Sequence, residues 1–189
     1  MKQTIENLAK AFIGESQARN RYTMYAKVAK KEGFEQISEI FLLTADNERE
    51  HAKWNFLMLN KLTKGKEVSV DAGCPTVIGN TATNLKAAIE GEHYETTTMY
   101  PEFAKAAAKE GLKAVAERLS AIGIAEKHHE ERYKDLLKQV QGKAILKKSK
   151  NVKWVCRKCG FVHEDKEPPK NCPACSHPKE YFELRCECY

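Results

Sequence analysis

The sequence repeats itself. Residues 22–51 match residues 100–129 at a constant offset of 78. Tyr22 pairs with Tyr100, Tyr25 with Phe103, Ala26 with Ala104, Lys31-Glu32-Gly33 with Lys109-Glu110-Gly111, and Glu48 and His51 with Glu126 and His129. Each half holds two long stretches of helical spacing around a glycine: 3–31 and 35–63 flank Gly33, and 83–110 and 112–140 flank Gly111. Glycine at that point supplies the left-handed residue that ends a helix. Two such hairpins bury their apolar stripes most simply as a four-helix bundle. Gly65 to Thr81 is polar, contains Gly73, Pro75 and Gly79, and reads as the one long crossover of about seventeen residues. Extended, it reaches roughly 55 Å, against roughly 42 Å for a helix of about 28 residues. It therefore spans a bundle end to end, either within the chain or into a partner subunit.

The repeated Glu-x-x-His pairs sit in an unusual place. The fourth helix carries an inward stripe of Val115, Leu119, Ile122, Glu126, His129, Tyr133, Leu136 and Val140, and the second carries Ile37, Phe41, Ala45, Glu48, His51, Asn55, Leu59 and Leu62. A glutamate and a histidine three residues apart share one helix face. A carboxylate on an inward stripe is costly unless its charge is compensated. In the other two helices Gly14-Glu15 matches Gly91-Glu92, now at an offset of 77, so one residue has been added between Glu92 and Tyr100. A single insertion in a helix is commonly absorbed as a π-bulge, and Pro101 adds a kink. The third helix is expected to be irregular there. The inserted region contains Glu95, one turn after Glu92, with no inward glutamate in its counterpart. The mid-helix glycines Gly14 and Gly91 suggest close helix approach.

The inward set is Glu15, Glu48, His51, Glu92, Glu95, Glu126 and His129. One Glu from each of two helices and Glu-x-x-His from each of the others is the arrangement of ferritin-like di-iron carboxylate proteins. Glu95 is a carboxylate beyond that scheme. Mixed carboxylate and imidazole ligation suits iron or manganese better than a thiolate metal. Tyr22 and Tyr100 lie two turns beyond Glu15 and Glu92, in reach of ligand carboxylates.

Among 189 residues, 31% charged and 42% hydrophobic, there is no run of membrane-spanning length. The N-terminus lacks the apolar core of a signal peptide, so a cytoplasmic protein is expected. The net charge of +6 owes much to Lys138–Lys150, which reads as a solvated linker or a surface for an acidic partner rather than a nucleic-acid patch. Of seven cysteines, Cys156, Cys159, Cys172 and Cys175 form two Cys-x-x-Cys knuckles twelve residues apart. That is a tetrahedral four-thiolate site, with zinc and iron both open and iron favoured beside a di-iron bundle. A segment of 38 residues needs such a staple, and Trp154, Phe161, Tyr181 and Phe182 are expected to pack around it. Cys74, Cys186 and Cys188 are left over.

Taken together, Gly14-Glu-Ser-Gln-Ala-Arg-Asn-Arg-Tyr22, Glu48-Arg-Glu-His51, Gly91-Glu-His-Tyr-Glu95, Met99-Tyr-Pro101, Glu126-x-x-His129, Cys156-Arg-x-Cys-Gly160 and Cys172-Pro-Ala-Cys175 resemble the rubrerythrin family over nearly the whole chain. The resemblance implies a mainly α, ferritin-like four-helix bundle with one long crossover over 1–145, a linker over 146–151, and a small rubredoxin-like β/loop domain over 152–189. It implies two irons in the bundle, one at the cysteines, and reduction of hydrogen peroxide to water in defence against oxidative stress. Electrons are expected from rubredoxin or an NAD(P)H-dependent rubredoxin reductase, in a homodimer with no nucleic-acid or membrane partner. By position, His51 and Glu95 are the residues between which one iron moves as its oxidation state changes. The Cys186-Glu-Cys188 tail is not expected from the family. A ferroxidase or iron-handling role, and a zinc-ribbon interaction protein, are the competing readings.

Overall fold

The computed structural model describes residues 1–186; Cys188 and the rest of the tail beyond Cys186 lie outside them. Four long helical rods form the bundle: α1 (Lys2–Lys31), α2 (Glu35–Thr63), a third rod made of α3 (Thr81–Tyr94) and α4 (Tyr100–Lys109), and α5 (Lys113–Gln141). The third rod is broken where the insertion falls, by a π-helical turn at Glu95–Met99. An extra residue in an α-helix widens one turn rather than rotating everything beyond it. That is how Glu92 and Tyr100 both stay buried.

The two hairpin turns are the same turn. Gly33 and Gly111 both adopt positive φ, +81° and +76°. The Phe34 amide donates to Ala29 O, and the repeat-related Leu112 amide to Ala107 O, at 2.9 Å each. Three hydrogen bonds anchor the end of the crossover to the first hairpin and to α3. Tyr25 Oη donates to Val77 O (2.7 Å), the Thr81 amide donates to Glu32 (2.9 Å), and Asn80 caps α3 by accepting from the Thr83 amide (2.9 Å).

Two apolar clusters fill the bundle. Tyr22, Tyr25, Ile37, Phe41, Leu85 and Tyr133 belong to one, and Leu8, Met99, Tyr100, Leu119 and Ile122 to the other. On every rod the glutamate of interest falls between a residue of one cluster and a residue of the other. The polar site thus lies mid-bundle, sealed above and below.

The cysteine module is a three-stranded antiparallel sheet in the order β2-β1-β3, with β1 Val152–Cys156, β2 Val162–Asp165 and β3 Phe182–Leu184. Trp154, Phe182, Cys156 and Cys172 form its core, with Phe161 packed against it. Tyr181 does not join that core; its ring meets His177 edge-on at 4.9 Å. The lysine-rich connection is more anchored than a solvated linker. Ile145 packs on the bundle core and Leu146 on the module core, and Lys148 Nζ donates to Ala144 O (2.6 Å) and Gln139 Oε1 (2.9 Å). Arg157, in the first knuckle, pairs with Glu39 of α2 and lies 3.3 Å from Glu183, fastening the module to the bundle. No helix among the described residues is long and apolar enough to cross a membrane.

Candidate metal centres

Periodicity brings six side chains together from all four rods of one chain. They form two overlapping sets whose ligand atoms lie within 4.8 Å of one another: Glu15, Glu48, His51 and Glu126, and Glu48, Glu92, Glu126 and His129. Glu48 and Glu126 belong to both. His51 Nδ1 is 2.8 Å from each of them, and His129 Nδ1 is 3.1 Å from Glu48 and 2.9 Å from Glu126. Glu15 and Glu92 each close one set. Two overlapping sets of carboxylates and an imidazole, sharing two glutamates, could hold two metal ions side by side.

The residues fit a metal pair better than they fit one another. Glu15, Glu48, Glu92 and Glu126 are fully buried. Glu15 Oε2, Glu48 Oε1, Glu92 Oε2, both oxygens of Glu126 and His129 Nδ1 have no well-aligned hydrogen bond among the described residues, although the histidine nitrogens lie 2.8–3.1 Å from Glu48 and Glu126. Buried polar atoms are rarely left so. Converging unpaired acceptors are what a cation between them satisfies. Without metal, protons must carry that charge. Burial, reinforced by Glu126 and Glu48, pushes Glu15 well above the carboxylate range, and burial lifts Glu92 to about 8. Burial opposes charging the histidines, yet the Glu126 and Glu48 carboxylates close against them raise His51 to about 10 and His129 to about 12. Glu48 runs the other way: burial would raise it, but His129 and His51 hold it below its ordinary value.

The two tyrosines act crosswise. Tyr22 of α1 donates to Glu92 of α3 (2.5 Å), and Tyr100 donates to Glu15 of α1. Burial and the adjacent carboxylates keep both as neutral phenols. Asn55, not singled out from the sequence, donates to Tyr100 Oη at 3.2 Å. Its repeat partner Tyr133 packs edge-on to Tyr22 at 5.6 Å. The position of Asn55 on the inward stripe of α2, one turn beyond His51, is the signal that could have found it.

Glu95 is buried in the π turn, at 8% exposure, yet belongs to neither ligand set. Burial raises its pKa, with Glu15 the leading charged neighbour. Its counterpart in α1 is Ala18, buried as well, so the fifth carboxylate has no repeat-related equivalent. The expectation that Gly14 and Gly91 mark close helix contact is not met: a Cβ at either would find nothing within 4 Å. The glycine that does is Gly123 of α5, whose Cβ would lie 3.1 Å from that of Tyr100.

The four thiols of Cys156, Cys159, Cys172 and Cys175 also lie within 4.8 Å of one another, with Sγ–Sγ distances of 3.7 Å (Cys156–Cys175) and 3.6 Å (Cys159–Cys172). Backbone amides at Phe161, Ala174, Cys175 and His177 point at the sulfurs. Burial works against ionising Cys172, but the Ala174 and Cys175 amides bring its thiol down to about 7. A thiolate held as Cys172 is ligates metal readily. Cys74 and Cys186 are exposed and take no part.

A ferritin-like bundle with a di-iron carboxylate site, joined to a four-cysteine rubredoxin-like domain, is the class of protein these features define. Comparison with known proteins agrees. Residues 6–137 match the family model for rubrerythrin, and 154–183 match the rubrerythrin rubredoxin-like domain. A putative rubrerythrin of Methanocaldococcus jannaschii is 64% identical, covering 100% of this chain and 96% of its own. The rubrerythrin of Nitratidesulfovibrio vulgaris is 45% identical, covering 96% and 94%. A solved structure of nigerythrin in a mixed-valence state is 32% identical, with a TM-score of 0.65, covering 96% of this chain and 86% of that one. The chain belongs to the rubrerythrin family.

Proposed function

We propose that this protein is a peroxidase that reduces hydrogen peroxide to water, with electrons passed from an iron held by Cys156, Cys159, Cys172 and Cys175. The observation that carries the reading is Glu95, a buried carboxylate beside Glu15 and outside both ligand sets. A metal pair of fixed charge needs no spare hard ligand; a pair that gains positive charge on oxidation does. Irons bound at the bundle site supply two-electron reductive cleavage of the O–O bond.

The chain's residues divide the remaining work. Glu15, Glu48, Glu92, Glu126, His51 and His129 would hold the two irons, with Glu48 and Glu126 common to both sets. His51 belongs to the Glu15 set, and Glu15 is also the leading charged neighbour of Glu95. His51, a member of the Glu15 set, and Glu95, the buried carboxylate outside both sets, would between them hold one iron in its two oxidation states. Tyr22 and Tyr100 fix Glu92 and Glu15 and keep a phenolic proton next to the reacting oxygens. Functionally the chain divides into the bundle (1–145), a linker (146–151) and the electron-delivering module (152–189). The external donor is a rubredoxin or an NAD(P)H-dependent rubredoxin reductase, and the working form is a cytoplasmic homodimer.

Stopped-flow spectroscopy of anaerobically reduced protein tests this. On mixing with hydrogen peroxide, the visible ferric–thiolate band of the four-cysteine site should appear promptly. It should fail to appear promptly in a folded Glu95→Ala, Glu126→Ala double variant. A band that rises equally fast in that variant would leave an electron carrier on an inert bundle, and sink the peroxidase.

A further inference from the structure

The glycines preceding Glu15 and Glu92 lack a packing explanation. Each costs about 1 kcal/mol relative to alanine in a helix interior, and each has open space where its side chain would be. Both line a single cavity of about 400 Å³, whose buried lining residues are Glu95 and Met99. Tyr94 and Phe103 supply aromatic wall, and the exposed crossover residues near Asp71 and Pro75 form the rim.

The cavity is far larger than hydrogen peroxide needs. Two waters' share of liquid volume is roughly 60 Å³, whereas pockets that enclose drug-sized molecules span about 300–1,000 Å³. The pocket also continues outward, past a mouth that carries Lys10, Arg21 and Asp71. A neighbouring cavity of about 540 Å³ shares Gln17, Arg21 and Pro75 with the first and adds Phe12, Ile13 and Met24.

We propose that Gly14 and Gly91 hold open an access pocket that admits organic hydroperoxides, ROOH with an apolar R group, to the Glu95 side of the bundle site. This rests on the peroxidase reading above. The peroxide end meets Glu95, and R lies against Met99, Phe103 and Tyr94. The reaction is ROOH + 2 e⁻ + 2 H⁺ → ROH + H₂O. The O–O bond breaks, the distal oxygen leaves as water, and the alcohol oxygen stays on R. Both electrons come from the reduced iron pair, which a one-electron rubredoxin-type donor recharges. Alanine or leucine at either glycine fills the space from its wall, so the two positions set how large a hydroperoxide is accepted.

The test compares kcat/KM for hydrogen peroxide and cumene hydroperoxide in the iron-loaded full chain and in Gly14→Leu and Gly91→Leu. The unmodified chain should reduce both, and each leucine should lower the cumene-to-hydrogen-peroxide ratio by about tenfold or more, the discrimination a few methylenes provide. A second readout needs no turnover. Saturation-transfer NMR should detect 2-phenyl-2-propanol, the alcohol product, on the unmodified oxidised chain and not on the leucine variants. Gly14→Ala and Gly91→Ala should raise the thermal midpoint and give intermediate ratios, which covers a leucine variant that fails to fold. Reduction of hydrogen peroxide but not cumene hydroperoxide overturns the pocket and leaves the peroxidase reading standing. An unchanged ratio in the glycine variants also overturns it. Reduction of neither peroxide overturns the peroxidase reading, and the hydroperoxide pocket with it.

Discussion

Removing metal should turn the bundle's stability against pH. The metal-free site holds five buried carboxylates, at Glu15, Glu48, Glu92, Glu95 and Glu126. For a carboxylate whose folded pKa is raised, the folded state binds the extra proton, so stability falls as pH climbs from the ordinary value to the raised one. Glu92 moves from 4.5 to about 8. At about 1.4 kcal/mol per unit, that withdraws on the order of 5 kcal/mol across the window, comparable with the whole stability of many domains. Glu15 and Glu95 shift the same way. His51 and His129, raised to about 10 and 12, stabilise fully below their ordinary 6.5 and lose that contribution as pH rises through the raised values. They add to the decline above pH 6.5. Glu48 adds no slope in this window, since a lowered carboxylate stabilises fully above its ordinary 4.5 and fails only as pH falls below that. Metal-free protein should therefore be most stable near pH 5 and markedly weaker by pH 8. Metal reverses the sign, because it displaces protons and binds more tightly as pH rises. Urea denaturation followed by circular dichroism at 222 nm, with chelated and metal-loaded protein at pH 5, 6.5 and 8, reads both slopes. A metal-free midpoint that is flat or rises from pH 5 to 8 would refute the burial of these carboxylates in one unmetallated site.

Other outcomes follow from single contacts. Tyr100→Phe strips a donor from buried Glu15 and an acceptor from buried Asn55, and should cost about 2 kcal/mol in chemical denaturation; metal affinity should fall about 10–100-fold. Glu110 is held at about 2 by the Met1 ammonium, then by Thr4 and the Gln3 and Thr4 amides at the start of α1. Its stabilisation is complete above the ordinary carboxylate range and is lost as pH falls toward 2, so unfolding midpoints of the unmodified chain and Glu110→Gln should converge there. Cys172→Ser should abolish metal binding at the four-cysteine site and hydrogen-exchange protection in β1–β3, while ellipticity at 222 nm, which the bundle dominates, stays nearly unchanged.

Much of this protein could be read before any coordinates. The repeat at offset 78 announced two hairpins, and the apolar stripes set which way Glu48, His51, Glu126 and His129 face. The slip to offset 77 located the π turn at Glu95–Met99. All three are legible because helix periodicity ties position along the chain to direction in space. The twelve-residue spacing of the knuckles worked alike, since a four-thiolate site must close on itself locally. What the sequence left open concerns partners far apart along the chain. It did not say that Tyr22 reaches Glu92 and Tyr100 reaches Glu15, or that Asn55 braces Tyr100. It misjudged Gly14 and Gly91, because a glycine reads the same whether a neighbour fills its space or a cavity does. It gave no sign that Arg157 fastens the cysteine module to Glu39. Periodicity fixes which face a residue occupies; only the packing of one helix on another decides what that face meets.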